Sequence, residues 1–311
     1  MITLAMLASV LSAPPLLAGP FRFADSAAPR IEVLGRWWPV WQGPTMPSRW
    51  PAADAEITRG LSWRTIQPGL EYVEAPLEVD GVTPRLNLIL LRLDPSLVRL
   101  ELAANVDSAG VARPWTLAAA PADAIAAFNG GQFTEAGPWG WVMHRGRERR
   151  PPGIGPLSLA VLVDRDGRVA LLPADSIAAR RAAGETSEAL QSYPGLLVED
   201  GALPEPLRRD GLGLDRLHRD SRLAIGLLRD GRVLVALTRL AALAGVAAAF
   251  PIGPTVPETA AIMGALGCVR AVMLDGGLSS QLLVRDGHGS EIRWPGLRAV
   301  PLGLVVRVAP R

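Results

Sequence analysis

Residues 271–280 read Ala-Val-Met-Leu-Asp-Gly-Gly-Leu-Ser-Ser, an apolar run that ends in an acid, two glycines, a leucine and two hydroxyl residues. The four apolar residues 271–274 predict a short buried strand. Asp275 follows where that strand ends, and the two glycines after it permit a turn and the close approach of a ligand. A carboxylate at a rigid strand end beside open backbone is a common arrangement in active sites. Read alone, Asp-Gly-Gly also fits an ordinary turn.

A second junction of the same kind occurs earlier in the chain. The apolar run 124–128 ends in Asn129-Gly130-Gly131, so a buried strand again gives way to a polar residue and two glycines. This ending mirrors the one at Asp275.

The elements around these junctions predict the fold class. Residues 159–169 and 223–233 each predict a β-hairpin with an Asp-Gly turn. Thr255-Val256-Pro257-Glu258 fits a capping box, and the helix that follows is predicted to run from Val256 to Leu266 and lead into the Asp275 strand. Hairpins favour antiparallel pairing. We therefore expect a single α+β domain with mixed, largely antiparallel sheets and flanking helices.

Composition excludes several functional classes. The chain has 311 residues, 49% hydrophobic, with a net charge of only +2, and all 32 basic residues are arginines. These arginines form no long run that would track a nucleic-acid backbone, so no nucleic-acid partner is expected. The single cysteine, Cys268, excludes an intramolecular disulfide and a cysteine-based zinc site. The three histidines lack metal-ligand spacing, and we predict neither a metal site nor a cofactor.

The chain is predicted to have three parts. Residues 1–19 are apolar and uncharged and resemble a signal segment, residues 20–59 form an arm rich in proline and tryptophan, and residues 60–311 form the main domain. The first part predicts a secreted or periplasmic protein, with no stable membrane insertion expected beyond this segment.

The sequence resembles the phosphodiester glycosidase family in several blocks that occur in the family's order. Gln132, Leu223 and Leu278 depart from the residues usual in that family. The blocks are residues 63–72, the Asn-Gly-Gly block 126–133, residues 193–201, the arginine block 221–226, and residues 266–280 around Asp-Gly-Gly-Leu-Ser-Ser.

The resemblance implies hydrolysis of a sugar-1-phosphodiester, here a microbial glycan or glycolipid phosphate. Such a reaction needs a cation for the phosphate and a carboxylate near the anomeric carbon. Arg222 is the predicted cation, and a structural ion pair is its alternative role. Asp275 is the predicted carboxylate, acting as nucleophile, base or charge stabiliser. Asn129 is predicted to bond a sugar hydroxyl or phosphate oxygen, or else to serve only as a turn residue.

Further residues complete the predicted substrate site. Backbone amides are predicted to contribute, the two serines are expected to pin the Asp275 loop, and one glutamate is a candidate second acid. These residues are Gly130, Gly131, Gly276, Gly277, Ser279, Ser280 and Glu135. The departures from the family keep a second interpretation open, a non-catalytic carbohydrate-binding protein of the cell envelope with the same fold.

Overall fold

The architecture comes from a computed structural model that describes residues 27–106, 112–155, 157–241 and 250–310. The predicted signal-like segment 1–19 lies outside these residues. Among the described residues, the α-helices are α1 Ala55–Gly60, α2 Ile177–Ala183, α3 Glu205–Arg208 and α4 Val256–Ala265. The strands are β1 Arg30–Val33, β2 Arg36–Pro39, β3 Arg64–Gln67, β4 Leu70–Glu78, β5 Leu86–Leu93, β6 Val98–Val106, β7 Ala112–Arg113, β8 Ala126–Asn129, β9 Phe133–Thr134, β10 Gly137–Pro138, β11 Val142–His144, β12 Arg147–Arg150, β13 Leu159–Asp164, β14 Val169–Pro173, β15 Thr186–Ser192, β16 Gly195–Leu197, β17 Leu223–Leu228, β18 Val233–Leu240, β19 Cys268–Met273, β20 Leu282–Arg285, β21 Glu291–Trp294 and β22 Leu302–Val308.

Within the described ranges, the strands form three large sheets and one two-stranded ribbon, and every pairing is antiparallel. The nine-stranded sheet has the order β16-β19-β17-β18-β5-β4-β1-β2, with β3 paired to β4. A six-stranded sheet has the order β21-β20-β8-β22-β6-β7, and a five-stranded sheet has the order β12-β11-β15-β13-β14. These sheets confirm the predicted α+β domain.

The nine-stranded sheet buries both of its faces, because alternate residues of a strand point to opposite sides. In β19, Ala271 and Met273 belong to a core shared with helix α4. Val272 and Leu274 belong to a core shared with the other two large sheets. The strand that leads to Asp275 is therefore held on both sides, which fixes where the carboxylate emerges.

Helix α4 confirms the predicted capping box. The Thr255 side chain accepts a hydrogen bond from the Glu258 backbone N–H, and the Glu258 carboxylate accepts one from the Thr255 backbone. The helix ends one residue earlier than predicted, at Ala265, and Gly267 adopts a φ of +92° just beyond it. All ten helical residues are buried, which explains why this helix has no polar face.

The predicted hairpins are also confirmed. Leu159–Asp164 pairs with Val169–Pro173, and Leu223–Leu228 pairs with Val233–Leu240. Gly226, within the second hairpin, has no space for a side chain, because a Cβ there would lie 2.5 Å from Sγ of Cys268.

The predicted N-terminal arm is more regular than the sequence indicates. Strands β1 and β2 lie within it, and β1 pairs with β4 to extend the nine-stranded sheet. Trp50 is buried and packs against α4, where an added Cβ on Gly264 would lie 2.5 Å from the indole ring. No helix among the described residues is both long and apolar enough to cross a membrane.

Candidate active site at the ends of two strands

The two Gly-Gly junctions meet in the structure. The backbone N–H of Asp275 donates to the carbonyl of Gly130 at 3.0 Å, and the Asp275 carbonyl accepts from Nδ2 of Asn129 at 2.8 Å. These reciprocal bonds join the end of β8 to the residue that follows β19. They connect the six-stranded sheet to the nine-stranded sheet directly at the candidate carboxylate.

Asn129 is fully buried, and its side chain forms hydrogen bonds to the backbone of separate segments of the chain. Its Nδ2 donates to the carbonyls of Gly130 at 3.1 Å and Asp275 at 2.8 Å, and its Oδ1 accepts from the Gln281 N–H at 2.9 Å. Both amide hydrogens and the carbonyl oxygen are therefore bonded within the protein. This geometry makes Asn129 a residue that positions Asp275.

The segment before β17 lies against the Asp275 turn. The Gly277 N–H donates to the carbonyl of Ser221 at 2.8 Å. A Cβ on Gly276 would lie 2.8 Å from that same carbonyl, and one on Gly277 would lie 2.8 Å from Oδ2 of Asp220. Gly277 also has a φ of +58°, which disfavours any side chain. The two glycines let these segments approach closely enough to share one site.

The register of the sheet brings Arg222 to the same place. Ala224 pairs with Met273 across β17 and β19, and the Leu274 N–H donates to the carbonyl of Leu223 at 2.8 Å. Continuing this antiparallel register by one more residue places Arg222 opposite Asp275. The structure thus bonds Asn129 to Asp275 directly and places the backbone of Arg222 beside the Asp275 turn, while the Arg222 guanidinium bonds the carbonyls of Pro254 and His218.

The Asp275 carboxyl group sits in a partly buried, mixed electrostatic environment. Burial raises its pKa above the ordinary value, and the nearby Asp220 carboxylate raises it further. A hydrogen bond from Ser279 and the positive charge of Arg298 act in the opposite direction. Because burial is the largest of these influences, Asp275 retains its proton more readily than a surface aspartate.

Asp220 is a second carboxylate that the sequence did not reveal. Its Oδ1 is buried and has no hydrogen-bond partner in the described part of the chain, while its Oδ2 lies 3.5 Å from Nε2 of His218. The side chain is 19% exposed. An acceptor oxygen that is both buried and unbonded is costly, and functional sites are where such groups concentrate. We therefore include Asp220 in the candidate site.

Two buried arginines near the site are bonded to neutral oxygens. Arg222 donates from Nε to the carbonyl of Pro254 at 2.8 Å and from Nη2 to the carbonyl of His218. Burial lowers the pKa of Arg222, with Asp220 as the largest opposing influence, yet a guanidinium stays protonated in proteins. Within the described residues, Nη1 of Arg222 makes no hydrogen bond.

Arg239 is the second of these arginines and is 1% exposed. It donates to Oγ of Ser221 at 2.6 Å and to the carbonyl of Ser280. Burial lowers its pKa to about 10, so it remains a cation at neutral pH. Carbonyl and hydroxyl groups bind this guanidinium without neutralising its charge, so a positive field remains next to Ser221 and Ser280.

Arg298 supplies an exposed cation at the opening of the site. Its guanidinium lies over the ring of Phe133, 4.7 Å from the ring centre, and its charge acts on Asp275. The backbone N–H of Arg298 donates to the carbonyl of Leu278 at 2.9 Å. Leu278 itself is 44% exposed, so the residue that departs from the family borders the open side of the turn.

The remaining predicted site residues differ in whether their polar groups are hydrogen-bonded within the protein. The amides of Gly130 and Gly277 donate to carbonyls of Leu302 and Ser221, whereas those of Gly131 and Gly276 make no hydrogen bond within the described residues. Ser279 pins Asp275 as expected, and Ser280 is buried with an unbonded hydroxyl in the described part of the chain. Glu135 is exposed at the tip of the hairpin formed by β9 and β10.

Gln132, another departure from the family, links the Asp275 strand to a neighbouring loop. Its Nε2 donates to the carbonyl of Leu274 at 3.2 Å, and its Oε1 accepts from the Tyr193 N–H at 3.1 Å. A phenylalanine could make neither bond. No group of three or more histidine, cysteine or acidic residues that could hold a metal ion occurs in the described ranges.

Comparisons with known proteins identify the family of this chain. A sequence model of the family described as phosphodiester glycosidase matches residues 122–307, which is more than half of the chain and includes Asn129, Arg222 and Asp275. A comparison with curated protein sequences finds no match.

Two solved structures share the fold. The catalytic domain of zebrafish N-acetylglucosamine-1-phosphodiester alpha-N-acetylglucosaminidase, auto-inhibited by its pro-peptide, has a TM-score of 0.57 and 14% identity, covering 93% of this chain and 94% of that one. A hypothetical protein from Synechocystis has a TM-score of 0.54 and 15% identity, covering 80% of this chain and 64% of that one. This chain therefore spans less than two thirds of the length of the Synechocystis protein.

Proposed function

Because the chain belongs to the phosphodiester glycosidase family, we propose that it hydrolyses a sugar-1-phosphodiester of a microbial glycan or glycolipid phosphate. The observation that carries this proposal is a pair of partly buried carboxyl groups, Asp275 and Asp220, among arginines whose bonds go to neutral oxygens. A secreted or periplasmic setting is part of the proposal, and the apolar, uncharged sequence of residues 1–19 supports it.

The reaction breaks the bond between the anomeric carbon and the phosphate oxygen. The oxygen of a water molecule forms the new bond to that carbon, and the phosphate leaves as a monoester that keeps its other alcohol. Overall, one proton of the water ends on the sugar hydroxyl and the other on the phosphate or on solvent. A phosphate monoester is a good leaving group, so the enzyme's main tasks are to activate water and to stabilise charge.

In this proposal Asp275 faces the anomeric carbon. Its burial and the adjacent Asp220 raise its pKa toward the working range of a general base. Asp275 then either takes a proton from water or attacks the sugar itself. Inversion of the anomeric configuration would indicate the first route, and retention the second.

Arginines are proposed to bind the phosphate. Arg298 is exposed beside Asp275, and the Nη1 group of Arg222 has no hydrogen-bond partner in the described residues. A guanidinium presents paired donors that match two phosphate oxygens. The unbonded amides of Gly131 and Gly276 are additional donors on either side of Asp275.

The test is hydrolysis of methyl diesters of several hexose 1-phosphates, following the release of free sugar. Asp275→Asn should lower kcat/KM by about 10²–10⁴-fold, the contribution typical of a positioned acid or base. Asp166→Asn makes the same chemical change at an exposed hairpin turn and should leave the rate unchanged. An Asp275→Asn variant with wild-type activity would remove Asp275 from the mechanism. A wild-type protein that binds these diesters without cleaving any of them would instead favour the carbohydrate-binding function.

A further inference from the structure

An apolar cavity opens beside the candidate site. It has a volume of about 650 Å³, which lies within the range of small-ligand pockets. Its lining includes the ring of Trp139, the ring of Tyr193 and the side chains of Ile154, Leu212 and Leu214. Ile154 is 99% exposed and Leu212 is 46% exposed, so an apolar surface faces solvent here.

The lining of this cavity contains no charged residue among the described residues. Its polar side chains belong to Ser158 and Tyr193, and the Ser158 hydroxyl is already bonded to the carbonyl of Gly155 at 2.6 Å and to Gln191 at 2.8 Å. The cavity therefore has few polar groups to offer a sugar or a phosphate. Contiguous exposed apolar surface of this kind marks a binding site for an apolar group.

The rim of the cavity is attached to the strand that ends at Asp275. The carbonyl of Pro194, a lining residue, accepts from the Met273 N–H at 3.0 Å. Gln132 bonds the Tyr193 N–H on one side and the Leu274 carbonyl on the other. A single glutamine thus spans from a cavity residue to the residue just before Asp275, so the cavity rim is fixed to the segment that carries the carboxylate.

The aromatic residues at the rim are also held in place. The Trp139 N–H donates to the carbonyl of Gln132 at 2.9 Å, and the Trp139 ring meets the Tyr193 ring edge to face, with 4.6 Å between ring centres. Such aromatic pairs form rigid apolar surfaces. The cavity entrance is thus fixed relative to the site.

We infer that this cavity binds an apolar chain that is esterified to the substrate's phosphate. The inference rests on the proposed function and narrows it to glycolipid phosphates, in which a sugar 1-phosphate is linked to a long-chain alcohol. The sugar and phosphate lie at Asp275 and the arginines, and the chain passes over the paired rings of Trp139 and Tyr193 into the cavity. Hydrolysis breaks only the bond from the anomeric carbon to the phosphate oxygen, so the lipid leaves as an alkyl phosphate.

The first test uses alkyl phosphates, which represent the product for any sugar. Dissociation constants of octyl phosphate, below its micelle concentration, and methyl phosphate are measured by calorimetry. Each methylene taken from water should tighten binding roughly fourfold, so burial of about four of the seven additional methylenes predicts a preference for octyl phosphate on the order of 100-fold. Equal dissociation constants for the two phosphates would overturn the inference.

Matched variants locate the effect. Leu212→Asn and Ile154→Asn should reduce the preference for octyl phosphate at least tenfold while leaving methyl phosphate binding unchanged. Leu97 is also 46% exposed but lies in the turn between β5 and β6, so Leu97→Asn should keep the full preference. A preference that survives both cavity variants would place the apolar site elsewhere and refute the assignment.

A second measurement separates this inference from the proposed function. Octyl and methyl diesters of the same hexose 1-phosphates are compared as substrates. A higher kcat/KM for the octyl diesters supports both proposals. Cleavage of both diesters at equal kcat/KM, together with equal phosphate binding, refutes the lipid site and keeps the glycosidase. A clear preference for octyl phosphate without cleavage of any diester refutes the glycosidase and keeps the apolar site.

Discussion

Replacing Asn129 with alanine tests whether this residue positions Asp275 or contacts substrate. The substitution removes three hydrogen bonds of 2.8–3.1 Å and leaves the Asp275 carbonyl and the Gln281 N–H without a partner inside the described part of the protein, whereas the Gly130 carbonyl keeps its bond from the Asp275 N–H. Each lost hydrogen bond costs about 1–1.5 kcal/mol, and more where the group left without a partner is buried. We therefore expect Asn129→Ala to lower the free energy of unfolding by about 3–5 kcal/mol. In a protein of this size, that corresponds to a fall in Tm on the order of 10 °C.

Thermal unfolding followed by circular dichroism measures this change. Asn129→Asp keeps the side-chain volume but removes both donated bonds, so it should be destabilised as well. Its Tm therefore distinguishes the loss of hydrogen bonds from the loss of side-chain volume in Asn129→Ala. Asn87→Ala is the matched control, since the half-buried Asn87 side chain makes no hydrogen bond among the described residues. It should shift stability by only about 0.5 kcal/mol. An Asn129→Ala variant with the wild-type Tm and a large loss of turnover would refute the positioning role of Asn129 and indicate that it contacts the substrate.

Three further outcomes follow from the geometry around Asp275. Gly277→Ala should lower Tm more than Gly231→Ala does, because both residues have positive φ but only at Gly277 would the new Cβ lie 2.8 Å from Asp220; equal Tm shifts would contradict the contact. Arg298→Ala should raise KM for a hexose 1-phosphate diester by about 10–100-fold, the value of a charge-assisted bond, and an unchanged KM in steady-state kinetics would remove Arg298 from binding. Asp275→Asn should raise Tm at neutral pH. The pKa of Asp275 is higher in the folded protein than its ordinary value of 3.8, so this group stabilises the fold at acid pH and that contribution is lost as the pH rises through the raised value. The Tm difference between variant and wild type should accordingly disappear at about pH 3, and a difference independent of pH would contradict the shift.

The features that the sequence predicted are those determined by local chemistry. The capping box at Thr255 and Glu258 depends on residues three positions apart, and the Asp-Gly hairpins depend on a turn and its flanking strands. The same holds for the ends of the strands before Asn129 and Asp275, where apolar runs meet glycines. In each case, the residues that determine the conformation are neighbours in sequence.

The features that the sequence did not predict depend on long-range packing. Asp220 lies beside the Asp275 turn because Gly277, more than 50 positions later, leaves space for its carboxylate. Arg298 belongs to the site because its loop is bonded to the Leu278 carbonyl. Neither residue lies in a motif that indicates a role. Strand β1 was missed for the same reason, since its pairing with β4 is a contact between distant segments.

The placement of the arginines explains why a largely neutral protein can present an anion site. Several other arginines pair with carboxylates, as the half-buried Arg219 does with Glu258 through bonds of 2.7 and 3.2 Å. Arg222 and Arg239 are buried and bonded to carbonyl and hydroxyl oxygens instead. Burying a cation beside dipoles alone costs stability, and the fold accepts this cost at two positions next to the same turn. Dipoles orient a guanidinium without cancelling its charge, so these two positions keep a positive potential for an anionic substrate. Asp220 is the carboxylate whose charge acts most strongly on Arg222. Among the described residues, however, it makes no hydrogen bond to Arg222, and its Oδ1 has no hydrogen-bond partner. Because the guanidinium groups of Arg222 and Arg239 bond neutral oxygens, we propose that the phosphate binds on the arginine side of this turn and the sugar beside the carboxylates.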